Sequence, residues 1–250
     1  MCNMKKRILS GLLHILWMLP PVLTLTSCGE FLDYIGGEEL DEAAKVILTQ
    51  HEVDIQLGEE MMLEAQITPD SAYLNLFWFV RPSEPLQIIG RRLYTCREGD
   101  AMVYVKALTG SELANDTITE ASIVDSCLVH VFDWHTAATS QKGYDMVLYC
   151  QLEIDGQDIL QQGDAELTDN YSIAAHIDGS LAGTAQVVTN YGKPFYLLRI
   201  WSDTPAPRPI SLQCYSSSHL RRIELSPSLT FDGETHGSLS SPIVLKGSFK

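Results

Sequence analysis

The chain has 250 residues, 32 Asp and Glu against 17 Lys and Arg, a net charge of −15 and 45% hydrophobic residues. So acidic a balance argues against nucleic acid as a partner, because a phosphate backbone needs a basic face to meet it. The hydrophobic share is enough for real cores, and the length suits two domains of roughly 100 residues each.

Lys5, Lys6 and Arg7 form a positive start, Ile8 to Leu25 is nearly all apolar, and Thr26-Ser27 offer small side chains before Cys28. This is the layout of an export signal with a cleavage site. The alternative is a single membrane anchor, since the run approaches spanning length. Pro20-Pro21 within it and the acids that follow it argue for the signal. Leu25-Thr26-Ser27-Cys28 resembles the lipobox of bacterial lipoproteins. That resemblance implies cleavage before Cys28, lipidation of its thiol, and a membrane partner reached through the lipid. Two or more acyl chains, at about 0.8 kcal/mol per buried CH₂, hold a folded domain on a bilayer essentially for good. Removing residues 1–27 takes away three positive charges and no acids, which lowers the net charge from −15 to −18.

Residues 28–44 form a lipidated tether. Glu30, Asp33, Gly36-Gly37, Glu38, Glu39, Asp41 and Glu42 leave little to bury, so the segment repels itself and holds the rest away from the membrane. Acids after the lipidated cysteine also resemble the export signal of Bacteroidetes surface lipoproteins, which implies the outer membrane, with its periplasmic face as the other option. Cys96, Cys127, Cys150 and Cys214 remain in the folded part. An oxidising compartment permits bridges, while burial in apolar strands suits free thiols, and spacing leaves the pairing open.

From residue 45 the pattern has period two. Val53, Ile55 and Leu57 alternate with Asp54 and Gln56, Met61 to Ile67 form one alternating run, and Ala101, Val103, Val105 and Ala107 do the same before Cys127, Val129 and Val131. Half-buried antiparallel strands give this pattern, and Gly58-Glu59, Thr68-Pro69-Asp70 and Glu98-Gly99-Asp100 supply turns. Residues 45–133 are therefore expected to be a β-sandwich. The order Val53-x-Ile55-x-Leu57-Gly58-Glu59, Leu63-x-Ala65-x-Ile67-x-Pro69, Trp78, Gly99-x-Ala101-x-Val103-x-Val105-x-Ala107 and Cys127-x-Val129-x-Val131 resembles a bacterial Ig-like domain of group 2. In that family such domains are mostly spacers or binding modules of surface proteins. If Trp78 faces the core, Phe77 and Phe79 face the other way. They either pack under a loop or a neighbouring domain, or form a partner-binding patch.

After a polar joint, residues 141–250 are expected to form a second β-sandwich. Met146, Leu148, Cys150, Leu152 and Ile154 alternate with Val147, Tyr149, Gln151 and Glu153, and Asp155-Gly156, Asp178-Gly179 and Asp232-Gly233 suit type I′ hairpins. Tyr144-Asp145-Met146, Ile173-Ala174-Ala175-His176-Ile177-Asp178-Gly179, Tyr196-x-Leu198-x-Ile200 and Gly237-Ser238-Leu239 resemble a sandwich module that follows Ig-like domains in Bacteroidetes surface proteins. The resemblance implies no catalytic function. In Asn190-Tyr191-Gly192-Lys193-Pro194 a turn lifts Tyr191 to a loop tip, and Trp201 precedes a proline-rich loop on the face opposite Leu198 and Ile200. Both are candidate partner-binding residues, or else they cap the sandwich or contact the first domain.

Catalysis finds no support. Gly179-Ser180-Leu181-Ala182-Gly183 has leucine where a nucleophile elbow needs serine. No Cys or His spacing suits zinc, and His176 is expected to be a hydrogen-bonded strand residue. Asp164, Glu166, Asp169 and Asn170 lack the spacing of an EF-hand and fit a solvated loop. No cofactor is expected. Asp70-Ser71-Ala72 and Asp116-Thr117-Ile118 resemble the O-glycosylation acceptor of Bacteroidetes envelope proteins, which makes Ser71 and Thr117 candidate sites. The whole reads as an all-β lipoprotein with two tandem β-sandwiches that binds a glycan or protein at the cell surface without catalysis. The alternative is an accessory subunit of a fimbrial or glycan-uptake assembly, and a hydrolase with an unrecognised site comes third.

Overall fold

The computed structural model describes residues 45–68, 76–107, 125–135, 143–160 and 170–249. Cys28, the tether, Ser71, Thr117 and the acids at 164, 166 and 169 lie outside them. Every regular element described is a strand, and the chain is all-β with two tandem β-sandwiches. Of the described residues, 45–47, 65–68, 76–77, 105–107 and 125 belong to a smaller compact unit and the others to a larger one.

Among the described residues, the first half contributes nine strands: β1 Lys45–Leu48, β2 Glu52–Gln56, β3 Glu60–Met62, β4 Ala65–Thr68, β5 Leu76–Arg81, β6 Leu86–Ile89, β7 Arg92–Thr95, β8 Gly99–Ala107 and β9 Asp125–Phe132. They form a four-stranded sheet in the order β2-β9-β8-β5, a three-stranded sheet β3-β7-β6 and the pair β1-β4. Val53, Ile55, Ala101, Val103, Cys127 and Val129 are buried as their alternation requires. The run from Met61 to Ile67 is not one strand. Its burial alternates without a break, but β3 pairs with β7 whereas β4 pairs with β1. Alternation reports which way side chains point, and it is blind to which neighbour takes the backbone hydrogen bonds.

The second half contributes ten more: β10 Tyr144–Ile154, β11 Gln157–Asp158, β12 Tyr171–Ile177, β13 Ser180–Asn190, β14 Lys193–Ser202, β15 Arg208–Ser216, β16 Arg221–Glu224, β17 Leu229–Phe231, β18 Thr235–His236 and β19 Ile243–Gly247. The path runs β11-β10-β14-β13-β12-β15-β16, with β17 on β15 and with β18 and β19 parallel to β10. The curl comes from β13. Its first half, Ser180 to Thr184, pairs with β12 across a bulge at Ala175 and His176, and its second half, Ala185 to Asn190, pairs with β14. Gly183 sits at the changeover, where a Cβ would stand 2.0 Å from the Arg199 carbonyl oxygen, so only glycine lets the backbones cross this closely.

Met146, Leu148, Leu152, Ile173, Leu198, Ile200, Leu212, Phe231 and Leu245 close over one core from both sides of this curl. Each such side chain, fully buried, contributes about 1.5–3 kcal/mol. None of Cys96, Cys127, Cys150 and Cys214 is bridged. Cys150 and Cys214 lie in the core as small apolar groups, and burial pushes both thiols up to about 12. Asp155-Gly156 and Asp178-Gly179 have the two positive φ values of type I′ turns. At Asp232-Gly233 only the glycine does, and β17 and β18 do not pair, so that dipeptide closes no hairpin.

Candidate binding surface

The hairpin of β13 and β14 carries the sharpest candidate. Asn190 and Lys193 face each other across Tyr191-Gly192, whose φ values of +47° and +76° make a two-residue type I′ turn. Tyr191 is 99% exposed at the tip. Positive φ is uncommon in a bulky residue and costs about 1–2 kcal/mol.

Trp201 lies at the far end of the same strand, so roughly 30 Å of extended chain separates the two aromatics. It is half-buried on the face opposite Leu198 and Ile200, beneath the Arg199 guanidinium at 4.4 Å from its ring centre. Arg199 is fixed in turn by Asp145 at 2.6 Å. Between the two ends, Tyr149 and Phe195 approach at 5.7 Å on this outer face, next to half-buried Val147, Val188 and Leu197. Sequence reasoning passed over Tyr149 and Phe195, whose places in the β10 and β14 alternation mark them as outward-facing.

Phe79 is half-buried, stacked on Tyr104 at 4.9 Å, with the Arg81 guanidinium 5.6 Å from its ring centre. Phe77 is also half-buried. Within the larger unit, the ring contacts of Phe79 do not join it to Tyr191 or Trp201.

A groove of about 580 Å³ opens along β15 between β16 and β17, its polar wall formed by His176, Asp178, Ser211, Gln213, Arg222 and Glu224 and its apolar one by Ile210, Leu225 and Leu229. The Glu224 carboxylate accepts hydrogen bonds from Ser211 Oγ at 2.9 Å and Gln213 Nε2 at 2.7 Å. His176 departs from expectation, because its Nδ1 is buried without a partner. Burial lowers its pKa below the ordinary imidazole value, with Glu224 opposing and Arg222 adding to the effect. A smaller hollow beside it includes His130, whose ring nitrogens lie 2.8 Å from Asp100 and 3.3 Å from Glu52. Burial works against the His130 charge, but Asp100, then Glu52 and Asp54, outweigh it and raise its pKa.

Ser216 Oγ lies 2.9 Å from His219 Nδ1, which invites a nucleophile–base reading. Ser216 is fully buried, the His219 backbone N–H donates to the same oxygen, and the ring stacks on Phe249 at 4.8 Å. The pair closes a turn. No three His, Cys, Asp or Glu side chains converge as metal ligands among the described residues.

No protein-family model and no curated protein matches the chain. Solved structures that align with it include four cadherin domains of Protocadherin Gamma B7 at 10% identity, covering 76% of this chain and 49% of that one, with a TM-score of 0.26. The human Desmocollin-1 ectodomain aligns at 13% identity over 82% of this chain and 39% of that one, with a TM-score of 0.27. Domains 1–6 of the surface layer protein SbsC align at 12% over 74% and 26%, with a TM-score of 0.28. The chain thus spans about half the length of the protocadherin fragment and less of the other two. The all-β assignment rests on the strands themselves.

Proposed function

We propose that the chain is a non-catalytic binding protein of the bacterial cell surface, anchored through lipid on Cys28, which holds a glycan or protein partner through the Tyr191 tip. One observation carries the binding role. A bulky aromatic occupies a left-handed turn position where Asn or Gly would be relaxed, and it touches nothing that would repay the strain within the fold. Aromatic tips on stiff hairpins lose little freedom on binding and suit sugar faces or apolar protein pockets. Support for the anchor is the lipobox-like Leu25-Thr26-Ser27-Cys28 and the acids behind it.

Tyr191→Asn separates binding from folding. It should raise the melting temperature slightly, because Asn-Gly is the preferred type I′ pair, while lowering capture on glycan and host-protein arrays by about tenfold. Array binding unchanged by the substitution would remove Tyr191 from the site. The same preparations, grown with labelled palmitate, test the anchor: label on the wild type and none on Cys28→Ala is the expected pair, and an unlabelled wild type overturns it.

A further inference from the structure

Among the described strands, the second half of β13, from Ala185 to Asn190, is an open sheet edge. It pairs with β14 on one side, whereas β12 leaves β13 at Thr184 and no other described strand takes its place. The turn fixes which backbone groups point outward. Asn190 and Lys193 flank a two-residue turn and exchange both hydrogen bonds, so the peptide groups of Asn190, Val188 and Gln186 face β14. Those of Val187 and Thr189 therefore face away from it.

Proteins usually block such an edge with charge, proline, a bulge or a covering loop. Ala185-Gln186-Val187-Val188-Thr189-Asn190 has no charge and no proline, and its pairing with β14 runs without a bulge. Val187 is 45% exposed although Tyr196, its partner across the hairpin, is buried. The charge along the hairpin's own sequence is also unlike the rest of the chain, although Asp145 pairs with Arg199 from β10. Gly179 to Ser202 contains no acid and carries Lys193 and Arg199, in a chain of net charge −15.

We propose that this edge binds an extended peptide segment of a partner protein by strand addition, and that the segment is rich in β-branched residues and acidic at the end that meets Lys193. The exposed peptide groups of Val187 and Thr189 supply the hydrogen bonds, Val187 and Val188 select β-branched neighbours on the two faces, and Lys193 favours an acidic end. A second copy of the chain is the weaker occupant. Two copies meeting along about 20 Å of edge would bury less than the roughly 1,000 Å² of a stable interface, and would bring two strongly acidic chains together. The inference rests on the binding role proposed above but not on Tyr191.

The probe is a labelled seven-residue peptide of alternating Val and Thr with Asp at each end, titrated against the full chain in detergent. It should bind, and N-methylation of alternate amides should weaken it about tenfold, because only the backbone is altered. Val187→Pro deletes an outward N–H and leaves the hairpin hydrogen bonds in place, so it should cost about tenfold in binding at a nearly unchanged melting temperature. Thr189→Pro makes the same test should Val187→Pro fail to fold. Tyr191→Asn should leave this peptide bound, which separates a failure here from a failure of the tip. Absence of wild-type binding, binding indifferent to N-methylation and to both prolines, or a dimer in sedimentation that Val187→Pro dissolves would each overturn the proposal.

Discussion

His130 and His176 are strand histidines whose surroundings drive them in opposite directions. His130 is held between Asp100 and Glu52, so its folded pKa lies above the unfolded value near 6.5. Its contribution is complete below that value and is lost as pH rises through the folded one. His176 is desolvated, so its folded pKa lies below 6.5, and its contribution is present above that value and lost as pH falls. The melting temperature of His130→Gln should therefore fall furthest below wild type on the acid side of about pH 6.5 and converge with it as pH rises. His176→Leu should do the opposite and gain on wild type as pH falls. Melting curves for both variants that run parallel to wild type across this range would show that neither histidine is coupled to folding.

Among the elements, β13 determines how the second sandwich curls, and Gly183 is its pivot. Gly183→Ala would place a Cβ 2.0 Å from the Arg199 carbonyl oxygen and 3.0 Å from its carbon, both rigid backbone. Overpacking of this kind costs about 1–3 kcal/mol, which for a domain of this size lowers the melting temperature by roughly 2–12 °C. Calorimetry checks it, and a melt as high as wild type would mean that β13 and β14 separate freely. The glycine was visible in the sequence, but its purpose was not, since close approach depends on a strand far along the chain. The strands themselves were legible wherever burial alternates, as in β10, where every second residue from Met146 to Ile154 is buried. Leu86–Ile89 and Arg92–Thr95 escaped notice because four residues are too few to show a period. The Tyr191 tip could be read from Asn190-Tyr191-Gly192. The open edge beside it could not, because it exists only where β12 parts from β13 and continues on β15 alone.

For the molecule, the pattern alone suggests two sandwiches strung on a polar joint, yet within the larger unit the strands of the two halves are tied by specific contacts. The Arg222 side chain donates to Asp54 Oδ1 at 2.7 Å, its backbone N–H donates to Oδ2 at 2.8 Å, and its guanidinium stacks on Phe132 at 4.5 Å. The Asp54 N–H donates to the Leu220 carbonyl, and the Tyr215 hydroxyl donates to Glu59 at 2.9 Å. Phe132, Trp134, Ala174 and Tyr215 are buried as one cluster beside these groups. Side chains of Asp54 and Arg222 are 15% and 29% exposed, so the pair is only lightly screened. The exposed pair of Arg92 and Glu60, at 45% and 50%, is just as short at 2.6 Å and should count for little. Asp54→Ala strands a partly buried guanidinium and should cost about 2–3 kcal/mol, against less than about 1 kcal/mol for Arg92→Ala. Arg222→Lys should resemble Asp54→Ala, because an ammonium keeps the charge but neither the two-point contact nor the stacking. With the tie intact, differential scanning calorimetry should show the larger unit melting in one transition, and Asp54→Ala should resolve it into two as the halves lose their coupling. Two transitions already present in the wild type, unmoved by Asp54→Ala, would mean that these contacts form without joining the halves into one cooperative body.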